Sequence, residues 1–194
     1  MSGAFSQDLK RWLDPGHYPH DGMPSQLRLT TRDVVTLFWR YAGVWPTGIF
    51  RMSQWCHRHH IRVLPTVLER LNLVWFGIEI SSSIPIGPGL YIAHPVGSVI
   101  MAKRIGANAS FISAVTLGMR ERHEFPVLGD GVVVGAGARI LGGIQLGDGC
   151  TIGANAVVIE DVPARATAVG IPARLVGAKP SASPPDVFVK ALDE

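Results

Sequence analysis

Residues 128–158 read LGDGVVVGAGARILGGIQLGDGCTIGANAVV, and an aliphatic residue recurs in this stretch at every sixth position. The recurring residues are Leu128, Val134, Ile140, Leu146, Ile152 and Val158. An α-helix would show a period of 3.6, and an ordinary half-buried strand a period of 2. A strict period of six instead indicates short strands joined by tight corners, with one aliphatic side chain per strand directed inward. We therefore predict a solenoid in which three hexads close one triangular coil.

The repeat extends upstream and is interrupted twice. Its earlier members are Ile86, Ile92, Val99, Ile105, Phe111 and Leu117. The interval from Ile92 to Val99 is seven residues, and a longer interval before Leu128 indicates a looped-out segment. Interruptions of a regular solenoid re-aim side chains and often carry function. The first interruption contains His94 and the second contains His123, the only histidines after residue 60.

Glycine and proline divide the chain into three parts. Most of the 22 glycines follow residue 86, so we predict a helical region at 1–79, a β-helix at 80–177 and a tail at 178–194. Thr30 with Asp33 predicts a capped first helix, while Pro46 and Pro65 open two more at the first turn, where proline is tolerated. Residues 1–29 are expected to be irregular.

Composition excludes several classes of protein. Cys56 and Cys150 form no CxxC pair, which argues against a zinc ribbon or a disulfide scaffold and favours a reducing compartment, the cytoplasm. A net charge of +3 is too small for a nucleic-acid footprint. Residues 34–50 are apolar and aromatic but contain Arg40 and Pro46. Two roles stay open for these helices: peripheral contact with the inner face of a membrane, or stacking of trimers.

The ordered series of motifs resembles the hexapeptide-repeat acyltransferases, and within them the serine O-acetyltransferase family. The motifs are HPVG at 94–97, AVTLG at 114–118, RH at 122–123, GVVVGAGARILG at 131–142, IGANAVV at 152–158, DVP at 161–163 and GIPARLV at 170–176. The resemblance implies a mainly β fold, a left-handed parallel β-helix with a small helical part. It also implies acetyl-CoA as co-substrate, no permanently bound cofactor or metal, and a homotrimer with active sites between subunits.

The resemblance assigns chemical roles to three residues. His94 is expected to act as the general base, because a hydroxyl must lose its proton as it attacks a thioester. Glu79 lies fifteen positions earlier, a little less than one coil, and would orient the imidazole. His123 would stabilise the thioester oxyanion or hold the acceptor.

Further residues are expected to bind the two substrates. Arg122 is a candidate for holding an acceptor carboxylate or phosphate. Ala136 and Ala154 lie one coil apart, and their small side chains would admit the pantetheine arm of CoA along the coil. Arg174 and Lys179 could meet the phosphates of CoA.

Departures from the family pattern concern the acceptor. Ala93 stands where the family has an aspartate, residues 101–103 replace a GET-like segment, and residues 122–126 are two longer than the usual RHP. These changes favour a carbohydrate hydroxyl over L-serine, which is kept as the alternative acceptor. Two further alternatives are a β-helix zinc carbonic anhydrase, which would need a third histidine in the coil, and a non-catalytic trimeric scaffold.

Overall fold

The computed structural model describes residues 3–13, 28–121 and 123–176. Its helices are α1 (Gly3–Leu13), α2 (Thr31–Arg40), α3 (Val44–Arg58) and α4 (Leu64–Phe76). The strands of the first coils are β1 (Ile78–Ile80), β2 (Tyr91–His94), β3 (Ser98–Ile100), β4 (Arg104–Ile105), β5 (Ser110–Ser113) and β6 (Thr116–Gly118). The later strands are β7 (Val127–Leu128), β8 (Val133–Val134), β9 (Arg139–Leu141), β10 (Gln145–Leu146), β11 (Thr151–Ile152), β12 (Val157–Val158), β13 (Thr167–Gly170) and β14 (Ala173–Val176).

The strands form three parallel faces of a triangular prism. Face A contains β1, β3, β6, β9 and β12; face B contains β4, β7 and β10; face C contains β2, β5, β8, β11 and β13. The final strand β14 turns back and pairs with β13 in antiparallel fashion. Successive strands therefore occupy faces C, A and B in rotation, and each complete coil stacks on the one before it. The predicted β-helix is confirmed.

The sixfold repeat supplies the interior of the prism. Leu128, Val134 and Ile140 are fully buried, and Leu146, Ile152 and Val158 are exposed by at most 2%. Each of these residues sits in register with the inward residue of the coil above, as Leu117 does with Ile140. The inward assignment of the six repeat residues is therefore correct.

One member of the upstream series was assigned wrongly. Val99 is half-buried, whereas its neighbour Ile100 is fully buried and lies in register with Leu117. The turn between β2 and β3 is longer than a standard corner, which shifts the following inward position by one residue. Since side chains alternate between the two sides of a strand, this shift turns Val99 outward.

Local sequence signals place the helices. Thr30 and Asp33 form a reciprocal capping box at the start of α2. Gly77 ends α4 in the left-handed conformation, φ +63°, which glycine adopts without steric cost. The three helices predicted from residue 30 onward are therefore present, with α3 and α4 each beginning before the proline expected to open it.

The expectation that residues 1–29 are irregular is wrong for the described residues 3–13, which form α1. The helix buries Leu9 and Trp12 against Leu37 and Val44. Burial of apolar surface in tertiary contacts, which sequence patterns do not show, stabilises this short helix. Residues 14–27 lie outside the described residues.

A buried ion pair joins the helices to the first coil. Arg51 Nε lies 2.7 Å from Asp8 Oδ2, and Arg51 Nη2 donates to Asp8 Oδ1 at 3.0 Å. The same guanidinium donates to the carbonyl oxygens of Ile86 and Gly87, while the Leu90 amide donates to Asp8 Oδ1. We call this arrangement the Asp8–Arg51 clamp. It connects α1 and α3 to the layer of the coil that carries His94.

Candidate active site

The turns between faces C and A form one edge of the prism, which we call the C–A edge. In successive coils this edge consists of residues 94–97, 114–115, 135–138 and 153–156. Parallel pairing keeps these turns in line: His94 lies in register with Ser113, and Phe111 with Val134. His94, Ala136 and Ala154 therefore share a single edge, although they are far apart in sequence.

His94 is the last residue of β2 and is exposed to solvent. The turn that follows it is held by two backbone hydrogen bonds, from Gly97 to the Gly77 carbonyl at 2.9 Å and from Ser98 to the Pro95 carbonyl at 3.1 Å. Gly97 has φ +75°, a conformation that favours glycine. The lengthened turn thus presents the imidazole at the edge rather than directing it into the core.

Glu79 lies in the middle of β1, one layer before β3, and its side chain is exposed on face A. Gly77, two residues earlier, accepts the hydrogen bond from Gly97. Glu79 and the His94 turn therefore lie in neighbouring layers, as their spacing predicts. Among the described residues, no hydrogen bond joins the carboxylate to the imidazole, so the orienting role of Glu79 stays a prediction.

His123 lies in the loop between β6 and β7, which leaves the prism where face A meets face B. The imidazole is exposed. Neighbouring Glu124 lies close over Gly143, where an added Cβ would come within 2.9 Å of its side chain. The width of face A separates this loop from the C–A edge, so one chain does not bring His94 and His123 together. Arg122 lies outside the described residues.

The turns that contain Ala136 and Ala154 stack directly on one another. The Asn155 amide donates to the Ala136 carbonyl at 2.7 Å, and the Gly137 amide donates to the Ser113 carbonyl at 2.8 Å. Ala136 is half-buried and Ala154 exposed. The Ala154 amide nitrogen lies against Gly135 of the preceding coil, where an added Cβ would come within 2.7 Å of it. The geometry is compatible with the predicted contact to pantetheine.

Sequence reasoning missed Arg139, a cation held at the same edge. Its Nη1 donates to the carbonyl oxygens of Ala114, at 2.6 Å, and Gly137, at 2.9 Å. The guanidinium thereby joins the turns of two successive coils between His94 and Ala154. Its signal in the sequence was an arginine within an otherwise aliphatic and glycine-rich hexad.

The structure does not test the two residues that were predicted to contact the phosphates of CoA. Arg174 is exposed in β14, and its Nη1 donates to the carbonyl oxygen of its neighbour Ala173 at 2.9 Å. Lys179 lies outside the described residues. Contact of either residue with CoA phosphates stays a prediction.

Neither cysteine is placed for nucleophilic catalysis. Cys56 and Cys150 are both buried and unpaired. Burial raises the pKa of the Cys150 thiol to about 12, so it is almost entirely protonated at neutral pH, and the thiolate is the nucleophilic form. Within the described ranges, no group of three or more His, Cys, Asp or Glu residues is arranged to hold a metal ion.

The comparisons with known proteins agree with this fold. Residues 125–160 match the family model described as bacterial transferase hexapeptide (six repeats), which defines the class of the coil. The chain is 39% identical over 142 residues to serine acetyltransferase from Helicobacter pylori, covering 70% of this chain and 82% of that protein. The chain belongs to the serine acetyltransferase family of hexapeptide-repeat proteins.

Other relatives are longer. Serine acetyltransferase from Synechococcus elongatus is 38% identical over 140 residues, a match that covers 70% of this chain and 57% of that protein. Plant relatives are matched over 48% and 40% of their length. The chain therefore spans about half the length of these three curated relatives.

Solved structures resemble the whole described fold. A soybean serine acetyltransferase complexed with serine is 33% identical with a TM-score of 0.73, covering 89% of this chain and 68% of that one. A serine acetyltransferase in complex with CoA is 31% identical with a TM-score of 0.70, covering 89% of this chain and 67% of that one. The coil has the left-handed sense of these proteins, as the resemblance implied.

Proposed function

We propose that the protein is an O-acetyltransferase that transfers an acetyl group from acetyl-CoA to an acceptor hydroxyl. The observation that carries this proposal is the alignment of His94, Ala136 and Ala154 along one edge of a family-typical coil. A thioester that lies on the alanine turns would extend toward the imidazole. The related structure in complex with CoA supports the choice of donor.

The proposed reaction is direct transfer without a covalent enzyme intermediate. His94 accepts the proton of the acceptor hydroxyl as its oxygen attacks the thioester carbonyl carbon. The tetrahedral intermediate collapses with cleavage of the C–S bond, and the imidazolium returns the proton to the departing CoA sulfur. His123 is proposed to stabilise the oxyanion. The protonated state of Cys150 supports a mechanism that needs no thiolate.

We propose that the active enzyme is a homotrimer. His94 and His123 lie at different edges of one prism with face A between them. A neighbouring copy that packs its loop edge against the C–A edge would bring the two histidines into one cleft. In this arrangement each active site contains His94 from one subunit and His123 from its neighbour.

For the acceptor, the comparisons favour L-serine, which was the alternative in the sequence interpretation, over a carbohydrate. The relatives at 38–39% identity are serine acetyltransferases, and a related structure holds serine. A carbohydrate hydroxyl is the second candidate, for one reason. Ala93 directly precedes His94 and places no carboxylate beside the base to hold the ammonium group of serine.

An acceptor screen tests the proposal. CoA-thiol release would be measured with acetyl-CoA against L-serine and a panel of sugars, with His94→Ala as the inactive control. We expect a kcat/KM for serine in the ordinary enzymatic range, about 10⁴–10⁸ M⁻¹s⁻¹. Release with a sugar but not with serine would replace serine by the second candidate. If no acceptor causes CoA-thiol release, the non-catalytic scaffold would be favoured.

We propose a cytoplasmic location, which the two unpaired cysteines support because thiols persist in reducing compartments. A zinc carbonic anhydrase is the less favoured alternative. It would require a third histidine in the coil, and metal analysis of the purified protein distinguishes it from a transferase. Bound zinc at one equivalent per site would contradict the proposed mechanism.

A further inference from the structure

The helices expose an unusual amount of aromatic surface. Four of the five tryptophans in the chain are exposed: Trp39 by 93%, Trp75 by 65%, Trp55 by 50% and Trp45 by 48%. Tryptophan in folded proteins is usually well buried, and contiguous exposed apolar patches mark surfaces that bind something. The proposed transfer reaction assigns no role to these side chains.

Three exposed apolar residues of α3 and α4 face away from the coil. Met52, Val67 and Val74 each stand two residues before a residue that contacts the coil: Gln54 donates to the Ile84 carbonyl, Glu69 accepts from the Ser82 amide, and Phe76 packs on the coil core. Two residues along an α-helix are about 200° apart.

These positions join into one surface. Trp45 precedes Met52 by seven residues, so it lies on the same side of α3. The helices α3 and α4 pack side by side, with Ser53 Oγ donating to the Pro65 carbonyl and Asn72 Nδ2 to the Pro46 carbonyl. We call the surface of Trp45, Met52, Val67 and Val74 the outer helical surface.

The exposed charge of the helical region is mainly basic. Between residues 28 and 77, six arginines are exposed: Arg28, Arg32, Arg40, Arg58, Arg62 and Arg70. The two acidic residues of the same range, Asp33 and Glu69, are half-buried and accept hydrogen bonds from the backbone amides of Thr30 and Ser82. Arg70 lies three residues after Val67 and four before Val74, on the same side of α4.

We propose that the outer helical surface docks onto a membrane surface that contains anionic lipid. Tryptophan side chains with neighbouring arginines suit the interface of a bilayer, where the ring enters the headgroup region and the cation meets lipid phosphate. Association of two copies through this surface would instead bring like charges together. Within the described residues, no helix is long and apolar enough to cross a membrane, so the contact is peripheral.

The contact would also set the position of the candidate active site. The Asp8–Arg51 clamp holds α3 against the coil layer that carries His94. A bilayer on the outer helical surface would therefore lie about 10 Å from that layer, the diameter of one helix.

Vesicle flotation with the full chain tests the proposal. Vesicles of neutral phosphatidylcholine would be compared with vesicles that also contain anionic phosphatidylglycerol, and tryptophan emission would be recorded in the same samples. We expect flotation and a blue shift with the anionic vesicles only, both weakened at high salt. No flotation, or equal flotation with neutral vesicles, would overturn the proposal.

Matched variants locate the contact. Val67→Glu with Val74→Glu should abolish flotation, whereas Leu175→Glu, an exposed apolar residue in β14 at the far end of the coil, should leave it unchanged. Arg70→Gln should lower the partition coefficient about fivefold. Flotation unaffected by this variant would contradict the electrostatic part of the proposal and overturn it.

Light scattering tests whether a second copy of the chain, rather than a membrane, covers this surface. If the outer helical surface instead binds a second copy, the mass without lipid should double with concentration, and Val67→Glu with Val74→Glu should prevent it. That result would overturn the membrane proposal. Neither experiment depends on acetyl transfer, so failure here is distinguishable from failure of the proposed function.

Discussion

At the scale of single residues, we expect substitution of His94 to lower kcat more than substitution of Glu79. His94→Ala should lower kcat by about 10²–10⁴-fold, the usual contribution of a general base, while leaving CoA binding nearly unchanged. Glu79→Gln should be milder, because it removes a group that orients the imidazole but not the base itself. Steady-state kinetics and CoA titration of both variants measure the order of effects. A Glu79 variant worse than the His94 variant would mean that the roles are misassigned.

We expect the residue at position 93 to influence how the acceptor is held, and this can be tested by restoring the carboxylate. Ala93 is half-buried in β2, directly before His94. If serine is the acceptor, Ala93→Asp should raise kcat/KM for serine about tenfold to a hundredfold, since a hydrogen bond to a charged group contributes roughly 1.5–3 kcal/mol. Ala93→Asn, which has a similar shape without the charge, is the matched control. An equal gain from both variants would contradict ammonium recognition.

At the scale of elements, the Asp8–Arg51 clamp should dominate the attachment of the helices. Asp8→Asn leaves the Arg51 guanidinium buried without a counter-charge, which costs about 3–5 kcal/mol. For a chain of this length that corresponds to a fall in Tm of about 6–20 °C in thermal unfolding. Asp33→Asn, which changes a carboxylate in the capping box at the start of α2, should cost much less. Equal losses from the two variants would show that the clamp does not anchor α1 and α3.

At the scale of the whole molecule, the divided site predicts a trimer that is needed for activity. Light scattering should give about three times the chain mass of 20.9 kDa. His94→Ala and His123→Ala variants, each weakly active alone, should recover activity when mixed and refolded together, because some clefts then receive one intact histidine from each copy. Full activity from a monomer would mean that one chain completes the site.

The resemblance also led to an expectation that the comparisons do not favour. The departure at Ala93 directed the sequence interpretation toward a carbohydrate acceptor. A single missing carboxylate is a local signal, whereas identity to serine acetyltransferases extends over some 140 residues. The two observations lead to different acceptors, and the Ala93→Asp variant measures what the local change contributes.

The spacing of residues along the chain is enough to predict the coil and the order of its parts. A period of six is typical of short strands with one inward side chain each, so the faces, the six interior residues from Leu128 to Val158 and the stacking of Ala136 with Ala154 follow from spacing. Capping residues and glycine likewise placed α2 and the end of α4, because these signals act within a few residues.

Four other features depend on tertiary contacts and could not be predicted from local patterns. Helix α1 depends on long-range burial and on the pair between Asp8 and Arg51, 43 residues apart. The outward turn of Val99 depends on the length of one corner, and the place of Arg139 on the carbonyl groups of neighbouring coils. The separation of His94 and His123 depends on the edge of the prism at which each of their loops lies. Each of these features arises from contacts between distant residues, and a local sequence pattern does not identify the distant partner.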